Sequence, residues 1–305
     1  MDGKATSAHK GAREALSTAR IIQMDTPSER RKAILFVILA AILWSSGGLM
    51  IKIISWGPLA IMGGRCIFSS IILLIYIHRI PKKWTRWMTL ATVSHILTSS
   101  LFVFATKLTT AANAIFLQYT APVYIVLLAA WFLHERPTRT DWISMVIIFS
   151  GMFLFFGDKL SLDGLLGNLL AVLSGITLAF MTVALRAQKE GSPAESILIA
   201  HLFMAVAGFP FVLREAWTVT NWLIILYLGV FQIGLSFVFF SAAIKHIPAL
   251  EATLISTLEP VLNPIWVFLF IGEQPGLFAL VGGVIVLSGV ALNAVSSARA
   301  PAPPA

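Results

Sequence analysis

An all-α membrane protein of ten transmembrane helices, built as a five-plus-five inverted repeat, is the fold this sequence predicts. Three observations predict it. The 305 residues are 58% hydrophobic and 12% charged, whereas a soluble domain carries about 25% charged residues. Ten apolar stretches approach the roughly 20 residues that cross a bilayer core. They lie at about 33–54, 58–77, 87–107, 111–133, 141–157, 164–186, 195–213, 221–243, 249–271 and 276–295. Finally, residues 105–154 shifted by 138 positions fall on 243–292 without a gap, with fourteen identities in fifty. Lys107 meets Lys245, Pro122-Val123 meets Pro260-Val261, Glu135 meets Glu273 and Ser150-Gly151 meets Ser288-Gly289. Five spans per copy is an odd number, so the second copy crosses the membrane in the opposite orientation. Secondary transporters use this plan, with a substrate site between the halves near the midplane.

Residues 1–32 form a polar, basic tail without an apolar signal-peptide core; the tail is expected to be disordered and cytoplasmic. The first repeat, 33–157, opens with a span holding Trp44-Ser45-Ser46-Gly47-Gly48. Small residues there let another helix approach closely. Trp44 falls near mid-membrane, away from the interface where Trp gathers. It is either packing or a wall that stacks on a substrate ring. In the second span, Arg65 lies seven residues past Pro58, roughly 10 Å deep. An arginine there must face protein or water. It is either pinned to helix-end carbonyls or a counter-charge for a substrate carboxylate. Neighbouring Cys66, the single cysteine, permits no disulfide within the chain.

His95 and Ser99 share a face of the third span, followed by Phe102. His95 serves either as hydrogen-bonded structure or as a proton carrier. The fourth span contains Asn113, Gln118 and Tyr119, too polar for a lipid face, and Pro122, which removes a backbone hydrogen bond and kinks the helix. The fifth, rich in Gly, Ser, Val and Ile, reads as scaffold or dimer surface.

The second repeat, 158–295, begins with a span carrying Ser174-Gly175-Ile176-Thr177 and no tryptophan opposite Trp44. His201, in the seventh span, is expected to satisfy a local carbonyl. Gln232 and Ser236 share a face of the eighth. The ninth repeats the fourth as Glu251 through Glu259-Pro260, with Asn263-Pro264 beyond. Pro122, Pro260 and Pro264 are the expected hinges, because paired, Pro-interrupted helices in corresponding positions mark a transport site. Glu259 sits near the bilayer centre, where a charge is costly. It fits a proton-coupling group, a helix–helix hydrogen bond or half of a pair with Arg65. The tenth span matches the fifth, and 296–305 form a short cytoplasmic tail.

The net charge of +8 does not indicate nucleic acid. Seventeen Lys and Arg fall on the N-terminal side of the alternating loops and four on the other. Positive charge stays in the cytoplasm, which places both termini there and anionic lipid headgroups beside the basic belt. No P-loop, metal-spaced His/Cys cluster or nucleophile–base constellation occurs, so neither an enzyme nor a cofactor or metal is expected.

In their order, Trp44-Ser45-Ser46 with Lys52, the Arg65 neighbourhood, Asn113-Ala114 through Pro122-Val123, Glu135, Leu258-Glu259-Pro260-Val261 and Gly272-Glu273 resemble the EamA family of the drug/metabolite transporter superfamily. The resemblance covers about 33–295. It implies a bacterial inner-membrane exporter of small metabolites or drugs, most closely the branch carrying aromatic and other neutral amino acids. It also implies a central cavity lined by the first, third, fourth, sixth, eighth and ninth spans.

On this reading the protein exports its solute by alternating access, as a monomer or homodimer. Trp44, Phe102 and Tyr119 offer aromatic walls. Ser45, His95, Ser99, Asn113, Gln118, Gln232, Ser236 and Asn263 offer polar contacts, and Arg65 or Glu259 supplies charge. A nucleotide-sugar or phosphate-ester antiporter is the alternative within the superfamily. It would want several cations facing the cavity, and only Arg65 lies deep in a span. A structural or lipid-binding membrane protein is the alternative of another class, and the paired polar, Pro-kinked spans weigh against it.

Overall fold

The computed structural model describes residues 27–78, 84–157, 164–188, 192–271 and 276–299. Most of both expected tails, and Glu273, lie outside these residues. Among the described residues every regular element is helical. The spans are Pro27–Trp44 continued by Gly47–Ile53, Pro58–Ile77, Arg86–Leu108, Ala111–Gln118 continued by Ala121–Phe132, and Arg139–Phe156. The second copy runs through Leu165–Arg186, Pro193–Val212, Val219–Ala243, Ala249–Ser256 continued by Leu258–Ile271, and Leu277–Arg299. Nine of the ten contain a described segment long and apolar enough to cross a bilayer; the ninth crossing is assembled from two shorter helices.

Local chemistry sets the helix starts. Thr85, Thr110, Thr138 and Thr218 each accept a backbone N–H three residues on, and Thr138 completes a capping box with Asp141. Pro58 and Pro193 occupy the first turn, where a missing N–H costs nothing. Leu127, Trp131, Phe153 and Val206 are exposed on a chain whose outer surface meets lipid.

Packing repeats with the sequence. The third span packs on the sixth, and the eighth on the first. The second packs on the eighth, and the seventh on the third. The fourth packs on the sixth, and the ninth on the first. Advancing every span by five exchanges the members of each pair of contacts. The second–seventh, fourth–ninth and fifth–tenth contacts map onto themselves. Such a pattern requires a pseudo-two-fold axis through those three contacts, the geometric signature of an inverted repeat.

Two of the self-paired contacts are backbone-close. A Cβ on Gly63 would lie 2.6 Å from the Cα of Gly208, and one on Gly282 would lie 2.6 Å from the carbonyl oxygen of Gly151. The fifth and tenth spans are thus joined to each other, and Asn293 Nδ2 donates to Asp141 Oδ1 at 2.8 Å across them.

Four spans lose regular geometry. The fourth breaks at Tyr119-Thr120, just before Pro122, and the ninth at Thr257, just before Pro260. The first breaks at Ser45-Ser46 without a proline. The eighth winds as a π-helix over Leu228–Leu235.

Candidate functional site

Each irregularity delivers a side chain to one central cavity. Trp44 ends the first helix, Tyr119 sits at the fourth span's break, Gln232 in the π-helical turn and Glu259 just after the ninth span's break. Arg65, His95, Ser99, Phe102 and Gln118 also line the cavity. The 138-residue shift carries Trp44 onto Thr182, His95 onto Ile233, Ser99 onto Phe237, Phe102 onto Phe240 and Gln118 onto Ser256, and all ten side chains face the cavity. The cavity therefore sits on the pseudo-two-fold axis, between the halves.

Arg65 is 3% exposed. Its Nη2 donates to Ser99 Oγ at 2.7 Å, and its Nε is buried without a partner. It is not pinned to helix-end carbonyls, and no ion pair joins it to Glu259. Its backbone is fixed by the π-helical turn: a Cβ on Gly229 would lie 2.6 Å from the Arg65 carbonyl oxygen. Only a bare glycine lets the eighth span press there.

Gln232 is the converse of Arg65. Its Nε2 donates to the Trp44 carbonyl at 3.5 Å while its buried Oε1 has no partner. A Cβ on Gly47 would lie 2.5 Å from that Nε2, so Gly47 makes room for the amide. The Trp44 ring meets Phe237 and Phe240, each at 5.3 Å between centroids. The aromatic partner missing at Thr182 is thus supplied by the eighth span. Gln118 Nε2 donates to Ser174 Oγ at 2.7 Å.

The two buried histidines form a pair. His95 Nε2 lies 2.8 Å from His201 Nε2, His95 Nδ1 lies 3.0 Å from Met181 Sδ, and His201 Nδ1 lies 2.7 Å from Ser69 Oγ. A thioether has no hydrogen to give, so His95 Nδ1 is the donor to it. His95 Nε2 then accepts from His201 Nε2–H, and His201 Nδ1 accepts from Ser69. Neutral tautomers satisfy the whole chain. His201 was expected to bond a local carbonyl; its partners are Ser69 and His95 instead.

Three expected site residues lie away from the cavity. Ser45 Oγ donates to the Ile42 carbonyl at 2.6 Å and accepts from Trp266 Nε1 at 2.7 Å, joining the first and ninth spans. Asn113 is in the first turn of its span, where its Nδ2 donates to Asn168 Oδ1 at 2.8 Å. Ser236 is fully buried and donates back to the Gln232 carbonyl at 2.6 Å. The side chains of Asn263 and Pro264 lie outside the described residues. Conversely, Met181, Thr182, Phe237 and Phe240 line the cavity without having been singled out, and the second span contributes through Arg65. The repeat carried the signal for Thr182, Phe237 and Phe240, since the shift reaches each from a residue already chosen.

The family model of the EamA-like transporter family matches residues 31–157 and again 165–295. The chain belongs to the EamA-like transporter family. An uncharacterised transporter of Archaeoglobus fulgidus is 25% identical to this EamA-like chain over 255 residues, 83% of this chain and 93% of the relative. A pseudopaline exporter of Pseudomonas aeruginosa is 28% identical over 193 residues, 60% of this chain and 66% of the relative. A solved crystal structure superposes with a TM-score of 0.76 at 18% identity, covering 89% of this chain and 100% of that one; at this identity it shows the fold alone. The EamA-like chain is thus a multi-pass membrane protein of transporter type, its two family matches falling one on each repeat.

Proposed function

We propose that this EamA-like transporter exports neutral and aromatic amino acids across the bacterial inner membrane by alternating access around the central cavity. Both termini are cytoplasmic on this reading, as the belt of Lys and Arg favours. One observation carries the substrate class. Two residues that line the cavity each hold a buried side-chain atom without a partner: Arg65 Nε, a cationic donor, and Gln232 Oε1, an acceptor. An unpaired buried polar atom costs about 1–3 kcal/mol, so each favours a ligand that completes it. A zwitterion does so at both ends, its carboxylate on Arg65 and its ammonium on Gln232. Trp44, Phe102, Phe237 and Phe240 offer an apolar, aromatic wall for the side chain. The exporter among the relatives supports the direction of transport. Arg65 is the only Lys or Arg among the described residues lining the cavity, which disfavours a nucleotide sugar with its several negative charges.

Flux from the full chain in liposomes tests this, with labelled amino acids beside a nucleotide sugar and a cationic dye. Saturable flux of phenylalanine or leucine is expected. Movement of the dye or nucleotide sugar alone would keep the transporter and overturn the substrate.

A further inference from the structure

Tyr119 reaches from the fourth span of the first repeat to the ninth span of the second. Its hydroxyl lies 2.9 Å from the Ser256 carbonyl oxygen and 2.6 Å from Glu259 Oε2. A phenol has one hydrogen to donate, and here it meets two acceptors. The Ser256 carbonyl needs it. The donor four residues on would be Pro260, which has no N–H. If Glu259 were ionised, either its carboxylate or the Ser256 carbonyl would face an oxygen lone pair at hydrogen-bond distance. If Glu259 carries a proton on Oε2, its hydroxyl donates to Tyr119 Oη while Tyr119 donates to Ser256, and both close contacts are hydrogen bonds.

We infer that Glu259 is a proton-binding site, held protonated by Tyr119, whose loading and release couple proton movement to transport. The position of the proton is inferred from these two hydrogen bonds; its use rests on the transporter reading above. On release the proton leaves Glu259 for water in the cavity. Tyr119 then turns its O–H to the new carboxylate, and the Ser256 carbonyl loses its donor. The protonation state thereby acts on the break in the ninth span and on the contact between the repeats.

Among the described residues no cation pairs with this carboxyl. Arg65 and His95 share the cavity, but no ion pair joins either to Glu259. The first span packs against the second helix of the ninth. It carries Glu29, Arg30, Arg31 and Lys32 at its start, where Arg30 is held by Glu251. Its remaining charge is Lys52, whose side chain lies outside the described residues. The tenth span, also packed there, has Arg299 at its end as its one titratable residue.

Difference infrared spectroscopy of the full chain in lipid is the first test. A protonated-carboxyl band is expected at neutral pH, absent in Glu259→Gln. Tyr119→Phe keeps the carboxyl and removes its partner, so the band should shift rather than vanish. A wild-type spectrum without that band, or one unchanged in Glu259→Gln, overturns the inference whether or not any solute moves. In liposomes, a pH gradient should drive labelled phenylalanine in the wild type and not in Glu259→Gln. Saturable flux indifferent to the gradient would overturn coupling and leave the substrate reading standing. No phenylalanine movement, with the band present, would sink the substrate reading and leave the proton site.

Discussion

Arg65 and Trp44 divide the work expected of an amino-acid site. Arg65 offers the same charge to every amino acid, because every amino acid has a carboxylate. Arg65→Gln should therefore weaken all substrates alike. Loss of a desolvated charge pair costs on the order of 3 kcal/mol, roughly a hundredfold in KM. Flux measured across a panel of side chains checks this, and a loss confined to some side chains would contradict it. On the proposed reading Trp44 meets the substrate's side chain instead, and edge-to-face ring contacts add about 1 kcal/mol beyond area burial. Trp44→Ala should cost aromatic substrates about fivefold more than aliphatic ones in kcat/KM. Equal losses would make Trp44 a packing residue against Phe237 and Phe240. Arg65, Glu259 and Trp44 were legible in the sequence because each is expensive or unusual at its depth. Asn113 and Ser236 misled because polarity does not reveal direction: one is near the end of its span and the other bonds back to its own helix.

At the scale of the helices, irregularity places function. The breaks before Pro122 and Pro260 could be read from sequence, since proline removes a specific N–H. The break at Ser45-Ser46 and the π-helical turn could not. No proline marks them; at the first, Ser45 and Ser46 each donate back to the carbonyl three residues earlier. Gly47 yields to the Gln232 amide, and Gly229 yields to the backbone at Arg65. Either glycine read alone suggests ordinary helix packing. The second–seventh contact is a separate case, where glycine serves approach rather than winding. Gly63→Ala would set a methyl 2.6 Å from the Gly208 backbone, which cannot move as a side-chain tip can. Overpacking of this kind costs about 1–3 kcal/mol, so the thermal midpoint in detergent should fall. Gly276→Ala is the control, with nothing within 4 Å of its Cβ, and should leave the midpoint unchanged.

At the scale of the molecule, the contacts between the repeats differ in chemistry at the two ends of the bundle. At one end Arg186 Nε donates to Glu135 Oε1 at 2.8 Å, and Glu135 Oε2 accepts the Ala249 N–H at 3.2 Å. Arg186 also donates to the carbonyls of Ile244 and Lys245, and Arg30 pairs with Glu251 at 2.8 Å. The Arg186–Glu135 pair joins the two repeats, and the Arg30–Glu251 pair joins the start of the first span to the ninth. The 138-residue shift places Gly48 opposite Arg186, so Arg186 has no cation at its equivalent position in the first repeat. There the Gly57 N–H donates to Glu215 Oε1 at 2.7 Å and Asn221 Nδ2 to Ser55 Oγ at 3.1 Å. Sequence symmetry foretold the cavity on the axis but not this asymmetry, because Arg186 falls where the repeats differ. Alternating access needs the two ends to open in turn, and the charged end offers the sharper handle. Arg186 is only 7% exposed, and stripping the partner from such a charge costs about 3 kcal/mol. Glu135→Gln should therefore shift the population roughly a hundredfold toward opening at the Arg186 end. A cysteine placed in the cavity by Thr182→Cys, with Cys66→Ser removing the native thiol, reports this. An impermeant thiol reagent applied from the Arg186 face should label it faster once Glu135 is replaced, and an unchanged rate would mean that the pair does not hold the gate.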